Sequence, residues 1–341
     1  MNREPWSRLL RWYARAKRDL PWRRTRDPYR IWISEIMLQQ TRVEAVLGYY
    51  QRFLERFPTV EALAVAPEPE LLDAWAGLGY YRRARMVQTA ARSIVEQGGF
   101  PTDYEGIRVL SGIGDYTAAA VASIAFELPH AVLDGNVARV GARLTNEARD
   151  VTRAPVRRAL QALVQGWIEQ TRPGERGDLN QALMELGATV CTPKSPRCLL
   201  CPISADCAAR KEGVQEQRPV KRAKAPQQKL FLIVALVEKN GRLLMRQRPA
   251  DEAIMPGFWE LPQAMGPRFD PDCLAGLGLE VGEMQGEFRH GITTRDFRGQ
   301  VHAAALRGER DPDYVWLGPS ERESLPLTTI TKKALRAAKI L

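Results

Sequence analysis

The chain has 341 residues, an ordinary hydrophobic content of 45% and a formal net charge of +10. Its length allows two domains with separate cores, and its charge favours a polyanionic partner, either nucleic acid or an anionic membrane surface. No apolar run approaches the roughly 20 residues of a spanning helix, and the polar start lacks a signal-peptide core, so we expect a cytoplasmic protein.

The first thirty residues are strongly basic, with ten Lys or Arg against three acids. Five aromatic residues are interleaved with these charges: Trp6, Trp12, Tyr13, Trp22 and Tyr29. The pattern is consistent with a solvated amphipathic helix whose arginines extend into water, or with a face that contacts phosphates. This segment alone leaves both interpretations open.

Residues 5–210 are expected to be mostly helical. Apolar positions recur at helical spacing over 31–57, and Pro58 ends that segment. Further helices are expected near 69–76, 81–97, 115–126, 137–144, 155–170 and 179–190, with glycine-rich breaks between several of them. The pattern predicts an all-α first domain over residues 1–217.

Residues 110–118 read LSGIGDYTA, with Gly112 and Gly114 opening an alanine-rich helix. Glycines at this spacing allow a tight turn and a close approach of backbone to a partner, and the N–H groups that begin the helix favour a phosphate. An ordinary turn between two helices has the same pattern. About twenty residues later, Asp134 precedes Gly135 and Asn136, where an aspartate is suited to cap the next helix.

Cys191, Cys198, Cys201 and Cys207 follow the pattern C-x6-C-x2-C-x5-C. Zinc sites usually have two close pairs separated by a longer loop. Four thiolates in one compact loop instead suit a cubane iron–sulfur cluster, which takes one cysteine per iron. We therefore expect one [4Fe–4S] cluster in loop 191–207, with zinc or disulfides as the alternatives.

Residues 218–229 have many basic side chains, two prolines and no acids, which predicts an exposed linker. A different pattern follows. Strands are expected at 230–237, 241–245, 300–306 and 314–317, and a helix at 331–339. We predict a second domain of α+β class over residues 230–341.

The hairpin, Asp134 and the cysteine loop together resemble the endonuclease III superfamily of DNA glycosylases. The superfamily's helix–hairpin–helix motif holds DNA backbone without reading sequence, which implies DNA contacts at Gly112 and Gly114, although Ser111 replaces the usual proline. Asp134 matches the catalytic aspartate, whose negative charge stabilises an oxocarbenium-like state. Bifunctional members carry a lysine where this chain has Tyr116, so the resemblance implies a monofunctional enzyme that uses water.

Four segments are similar to the MutY family of adenine DNA glycosylases: 20–23 (LPWR), 32–41 (WISEIMLQQT), 77–81 (GLGYY) and 180–187 (NQALMELG). The resemblance implies that Glu35 is the general acid that protonates adenine, which is a poor leaving group when neutral. It further implies a base pocket, residues that fill or wedge the base stack, and residues that orient sugar and water. The pocket residues would be Arg23, Leu38 and Gln181. The residues that enter the base stack would be Gln40 and Tyr80, and those that orient sugar and water would be Tyr116 and Asn136.

Residues 243–249 (LLMRQRP) and 255–262 (MPGFWELP) resemble the Nudix-like domain at the end of MutY proteins. Nudix hydrolases need an R-E-x-x-E-E helix for magnesium, and residues 263–285 contain only two glutamates, Glu280 and Glu283. The resemblance therefore implies recognition of 8-oxoguanine without hydrolysis. Family members use a Phe-Ser-His tripeptide, and this chain has Ile292, Thr293 and Thr294 there, which keeps a hydroxyl at Thr293 but no imidazole.

The sequence therefore predicts a multi-domain protein, with an all-α helix–hairpin–helix glycosylase domain, its iron–sulfur cluster loop, and a Nudix-like α+β domain. We expect a monomer that binds duplex DNA and no membrane. Its substrate would be adenine mispaired with 8-oxoguanine, and also with guanine. The alternatives are a bifunctional or thymine-directed glycosylase, and a non-catalytic iron–sulfur DNA-binding protein.

Overall fold

A computed structural model describes residues 4–39, 41–221, 227–249, 251–252, 254–292 and 295–341. The chain divides into two compact units, residues 1–222 and 223–341. The division falls inside the stretch 218–229 that the sequence predicts as a linker, of which 222–226 lie outside the described residues. None of the helices in the described part of the chain has both the length and the apolar character needed to cross a membrane.

The first unit is helical and has two hydrophobic cores. Its helices are α1 (Glu4–Ala16), α2 (Pro28–Leu38), α3 (Val43–Arg56), α4 (Val60–Val65), α5 (Glu68–Ala74), α6 (Tyr81–Glu96), α7 (Tyr104–Arg108), α8 (Asp115–Phe126), α9 (Gly135–Leu144), α10 (Ala154–Glu169), α11 (Arg176–Thr189) and α12 (Ala208–Lys211). Helices α2 to α8 build one core, and α1 and α9 to α11 build the other. Helix α8 packs against both α2 and α11, so it joins the two lobes.

Helix α2 is buried along most of its length, from Tyr29 to Met37, and it carries Glu35. Asp27 caps its start by accepting a 2.8 Å hydrogen bond from the N–H of Tyr29, and Pro28 occupies the first helical position. A cap followed by proline fixes where the helix begins. The position of Glu35 inside the unit follows from that start.

The sequence predicted one helical segment over 31–57, and this prediction is wrong at its centre. The chain leaves helical geometry at Gln39, whose ψ is 111°, and resumes as α3 at Val43. Arg83 accounts for the break, because it donates hydrogen bonds of 3.0 and 2.8 Å to the carbonyl oxygens of Ile36 and Gln39. In a continuing helix, N–H groups of the next turn would bond to these carbonyls. Arg83 takes the place of those N–H groups, so α2 can end there.

The predicted hairpin lies between α7 and α8. Gly112 has φ +76°, in the left-handed region that favours glycine, and a Cβ at this position would lie 3.0 Å from Cβ of Met86. Gly114 then occupies the N-cap of α8. Gly112 is therefore where the tight turn needs a glycine.

The second unit is built on a mixed sheet. Its strands are β1 (Gln228–Lys239), β2 (Arg242–Gln247), β3 (Trp259–Glu260), β4 (Gln263–Gly266), β5 (Leu279–Ile292), β6 (Arg295–Leu306) and β7 (Tyr314–Leu317). The main strand order is β3-β2-β1-β6-β5, with β4 paired to β1 and β7 to β2. Only the β1–β6 pairing is parallel among the described strands.

Two helices follow the sheet, α13 (Pro319–Ser324) and α14 (Thr329–Ala337). Helix α14 packs on one face of the sheet, and residues 271–277 contribute Leu274 to the core on the other. The predicted classes of the two domains, all-α followed by α+β, are confirmed. The sequence did not predict β5, because much of this strand is exposed and its apolar residues do not alternate regularly.

Candidate active site

Glu35 and Tyr116 form the centre of a buried site. Glu35 is 4% exposed, and its Oε2 accepts a 2.9 Å hydrogen bond from the phenol of Tyr116. Burial raises the pKa of Glu35 to about 7, and the nearby charge of Asp134 acts in the same direction. The Tyr116 hydrogen bond and the charge of Arg23 oppose this rise. A carboxyl group with such a pKa is suited to donate a proton near neutral pH.

Asp134 caps α9 and lies beside Asn136. One carboxylate oxygen accepts a 2.7 Å hydrogen bond from the N–H of Val137, and the other accepts 2.8 Å from the amide of Asn136. Burial raises the pKa of Asp134, while these two hydrogen bonds lower it. The capping interpretation of the sequence is thus borne out by geometry. It is compatible with a catalytic role, because the cap fixes the carboxylate in place.

One cavity of about 250 Å³ brings most of the predicted site residues together. It is lined by Glu35 and Leu38 of α2, Tyr116 of α8, Gln181 of α11, and by Arg23, Asp134 and Asn136. The cavity therefore combines an acid of raised pKa, a second carboxylate, and both polar and apolar side chains. Such a pocket can accept a planar base and place its sugar near carboxylate groups.

Arg23 is held by a buried carboxylate that sequence reasoning missed. Glu185 is fully buried in α11 and accepts hydrogen bonds from Arg23 Nη2 at 2.7 Å and from Arg18 Nε at 2.9 Å. Burial alone would raise the pKa of Glu185, but the two arginines outweigh it and hold the pKa at about 2. In the sequence Glu185 is only an acid within the α11 segment, and no neighbouring residue indicates its arginine partners.

Arg139 is a second missed residue, and it links Asn136 to the cysteine loop. Its Nη2 donates to Oδ1 of Asn136 at 2.8 Å and to the carbonyl oxygen of Gly187 at 2.7 Å. Its Nε donates to the carbonyl oxygen of Cys191, also at 2.7 Å. Because Arg139 is 7% exposed, these contacts lie largely out of water. One side chain of α9 thus fixes both the site and the first cysteine.

Tyr80, one of the predicted DNA-contact residues, does not line this cavity. Tyr80 is 62% exposed with φ 52°, and Arg83 lies over its ring at 4.8 Å. An exposed tyrosine held in the left-handed region is unusual for a residue with only a packing role. Gln40 and Thr293 lie outside the described residues, so their predicted roles stay predictions.

Cys191, Cys198, Cys201 and Cys207 line one pocket. All four are half-buried, and none is in a disulfide. Arg143 of α9, 2% exposed, donates to Sγ of Cys191 at 3.2 Å and to the carbonyl oxygen of Thr192 at 2.7 Å. Among the described residues, no three His, Cys, Asp or Glu side chains are placed to hold a single metal ion.

Comparison with known proteins assigns both units. Residues 33–165 match the model of the HhH-GPD superfamily base excision DNA repair protein, and residues 233–337 match that of the NUDIX domain. The chain is 34% identical to the adenine DNA glycosylase of Homo sapiens, with 96% of this chain and 72% of the human protein aligned. The corresponding protein of Rattus norvegicus is 33% identical over 96% of this chain and 76% of its own length.

The chain belongs to the adenine DNA glycosylase family. The predicted enzyme class, a DNA glycosylase, is thereby confirmed, as is the predicted resemblance. Among solved structures, a thermostable thymine-DNA glycosylase is 30% identical with a TM-score of 0.54, covering 61% of this chain and 95% of that protein. A non-covalent endonuclease III–DNA complex, 22% identical with a TM-score of 0.51, covers 62% and 96% and supports the fold alone.

The second unit matches the NUDIX domain model, but its residues 263–285 contain only two glutamates. The stretch 263–285 forms β4, a short 3-10 segment and the start of β5. Glu280 lies on β5 and forms an ion pair with Arg307, the residue that follows β6. Within these described residues no helix carries a row of glutamates.

Proposed function

We propose that this chain hydrolyses the N-glycosidic bond of adenine mispaired with 8-oxoguanine or guanine in duplex DNA. The observation that carries the proposal is the cavity that contains both Glu35 and Asp134, with Tyr116 bonded to the acid. The human and rat adenine DNA glycosylases align with 96% of the chain. The thymine-DNA glycosylase matches 61% of it, so the adenine-directed activity has the broader support.

In the proposed reaction, protonated Glu35 donates its proton to a ring nitrogen of adenine. The C1′–N bond then breaks and its electron pair remains with the base, which leaves as neutral adenine. The ionised carboxylate of Asp134 stabilises the positive charge that develops on the sugar. A water adds its hydroxyl to C1′ and gives its other proton to a carboxylate of the site. Free adenine and an abasic site are the products.

Other cavity residues would position the substrate. Leu38 and Gln181 would contact the base as apolar and amide groups, and Arg23 would do so while held by Glu185. Asn136, bonded to Asp134, would orient the sugar and water. Since Tyr116 has no amine, it cannot form a Schiff base, and the enzyme would leave the strand uncut.

The proposed reaction requires adenine outside the helix. We infer that Tyr80, with Gln40, fills or wedges the base stack when this happens, since its ring is exposed. Gly112 and Gly114 would bring the hairpin backbone close to phosphates of the same duplex. A monomer that is cytoplasmic and associates with the nucleoid through DNA binding stays a prediction.

We infer that the four cysteines hold one [4Fe–4S] cluster. A cubane cluster needs four thiolates that each bind a different iron, and these four free cysteines share one pocket. Val140, Leu186 and Ile203 supply apolar walls, and Arg143 supplies a positive charge. The cluster would hold the cysteine loop in shape beside α9 and would take no part in the reaction.

The second unit would recognise the base opposite adenine through the segment that connects β5 to β6, which contains Thr293. Each unit has its own core, so a chain lacking residues 223–341 can retain the first unit. We expect this deletion to slow adenine release opposite 8-oxoguanine more than opposite guanine. Equal loss on both substrates, or none, would refute recognition of the lesion by this unit.

The catalytic assignment is tested with Glu35→Gln and Asp134→Asn in single-turnover assays. General acid help alone is worth roughly a hundredfold or more, so each variant should lose at least that factor in base release while still binding DNA. Glu55→Gln on the exposed surface of α3 and the exposed Asp73→Asn are matched controls that should keep the native rate. Near-native rates in either cavity variant would remove the role assigned to that residue.

A further inference from the structure

Two arginines oppose each other across the β5–β6 hairpin. Arg289 of β5 is in direct register with Arg298 of β6, so both side chains leave the same face of the sheet. Directly opposed residues in an antiparallel pair are close neighbours, and two like charges in this arrangement are unfavourable. The hairpin therefore places two positively charged side chains at directly opposed positions on one face.

A nearby acid pairs with only one member of this arginine pair. Arg289 Nη2 lies 3.4 Å from Oδ2 of Asp296, in an exposed ion pair. Glu287 instead accepts a 3.0 Å hydrogen bond from the amide of Gln300. Arg298 makes no ion pair within the parts of the chain that the structure describes. One of the two positive charges is therefore left for an external anion.

Further basic residues surround the arginine pair. Lys333 of α14 donates a 2.6 Å hydrogen bond from Nζ to the carbonyl oxygen of Arg289. Arg295 is exposed at the start of β6, and Lys229 is exposed on β1, in register with Asp296. Strand alternation places Lys229 on the same face as the arginine pair and Arg295 on the opposite face, where α14 with Lys333 packs. Positive charge therefore extends around the edge of the sheet beside the pair, which favours a polyanion over an isolated ion.

A broad concave surface lies beside the arginine pair. The cavity measures about 560 Å³ and is lined by Phe269, Glu287, Phe288, Arg289, Arg298 and Gly299. On the other face of the hairpin, the ring of Phe288 covers Gly299 so closely that a Cβ there would lie 2.3 Å from the ring. This contact stiffens the strands that carry the arginines, so they are positioned before a ligand binds.

We propose that Arg289 and Arg298 together bind a backbone phosphate of the duplex DNA on which the glycosylase acts. Guanidinium forks match phosphate oxygens, and one phosphate between two arginines offsets the repulsion between them. The pair lies three residues from the last register pair of the hairpin, about 10 Å along the strands. That distance is comparable to a DNA groove, about 12 Å wide for the major groove, so the hairpin end can reach a base while the pair holds the backbone.

This inference rests on the proposed function, because it takes the hairpin to approach the duplex. Its test uses the full chain and a duplex with 2′-fluoro-2′-deoxyadenosine, which resists base release, opposite 8-oxoguanine. Fluorescence anisotropy gives the affinity over a series of salt concentrations. Arg298→Gln should lower the slope of log K against log salt by about 1, the value of one phosphate contact, and should weaken binding several-fold.

Arg307→Gln is the matched control. Arg307 is also an exposed arginine and directly follows β6, but it forms an ion pair with Glu280 of β5. The same loss of one charge at this position should leave the salt slope unchanged. An unchanged slope in Arg298→Gln, or an equal fall in both variants, would overturn the proposal.

Thermal unfolding supplies an independent readout. Because Arg298→Gln removes a like-charge repulsion, it should keep or raise the unfolding temperature while DNA binding weakens. A fall in both would indicate that Arg298 only maintains the fold, and would overturn the phosphate contact. Unlabelled duplex should displace the probe, whereas a deoxynucleoside monophosphate should not. Displacement by the mononucleotide that depends on Arg298 would make the pair a nucleotide site instead.

Adenine release by the wild type from an adenine:8-oxoguanine duplex distinguishes failure of the phosphate contact from failure of the proposed reaction. Release without any effect of Arg298→Gln on the salt slope would sink the phosphate contact and leave the proposed function standing. A reduced slope without adenine release by the wild type would keep the phosphate contact and sink the proposed reaction.

Discussion

The phenol of Tyr116 donates a 2.9 Å hydrogen bond to Glu35, although the two residues are 81 positions apart in the chain. This hydrogen bond and burial change the pKa of Glu35 in opposite directions. Burial raises the pKa of Glu35 to about 7, and the bond favours the ionised carboxylate and so lowers it. The balance leaves a substantial protonated fraction at neutral pH, which a general acid requires.

The pH dependence of base release should report this balance. Protonated Glu35 is the active form, so the single-turnover rate should be highest below about pH 7 and fall as pH rises through the pKa. Tyr116→Phe removes a bond that favours the carboxylate, so the falling limb should move to higher pH. Tyr29→Phe, which loses a bond to the carbonyl of Phe57 elsewhere in the core, should leave the limb in place. A shift to lower pH in Tyr116→Phe would contradict this account.

Glu185→Gln should destabilise the first unit at neutral pH. The folded pKa of Glu185 is about 2, below its ordinary value of 4.5, so its stabilisation is present above the ordinary value and is lost as pH falls toward 2. A difference of this size corresponds to about 3 kcal/mol at pH 7. Denaturant unfolding should show that loss at pH 7 and a smaller one near pH 3. The exposed pair of Glu70 and Arg56 is the control, and Glu70→Gln should cost less than about 1 kcal/mol.

Arg139→Gln should weaken both stability and base release. It removes buried hydrogen bonds to Asn136, Gly187 and Cys191, and a loss of about 2–4 kcal/mol in unfolding free energy is expected. Because Asn136 contacts Asp134, the single-turnover rate should also fall. Arg85→Gln, which removes only an exposed pair with Glu68, should behave like the wild type in both assays. A native rate in Arg139→Gln would show that this arginine does not position the site.

Cys201→Ser should remove the cluster and lower the soluble yield and DNA affinity together. The wild type should be brown and contain about four irons and four sulfides per chain by the ligand count. Cys273→Ser changes the exposed fifth cysteine, in the second unit, and should keep the wild-type iron content. Iron and sulfide analysis decides the matter, and a colourless wild type with one zinc would contradict the cluster.

Local patterns predicted the parts of the site that depend on short stretches of chain. The capping position of Asp134, the turn at Gly112 and the spacing of the cysteines are set by neighbouring residues. The pairing of Arg23 with Glu185 joins residues 162 positions apart and depends on how α11 packs, so no local pattern reveals it. The end of α2 was missed for the same reason, because Arg83 comes from another helix.

The central claim is that this chain removes adenine by hydrolysis and leaves the strand intact. The most direct test is a single-turnover reaction on a duplex with adenine opposite 8-oxoguanine, analysed for free adenine, strand breaks and covalent complexes trapped by borohydride. The account predicts release of adenine, an abasic strand that breaks only on later alkali treatment, and little or no trapped complex. Efficient trapping at any lysine, or intact adenine in the strand, would contradict it.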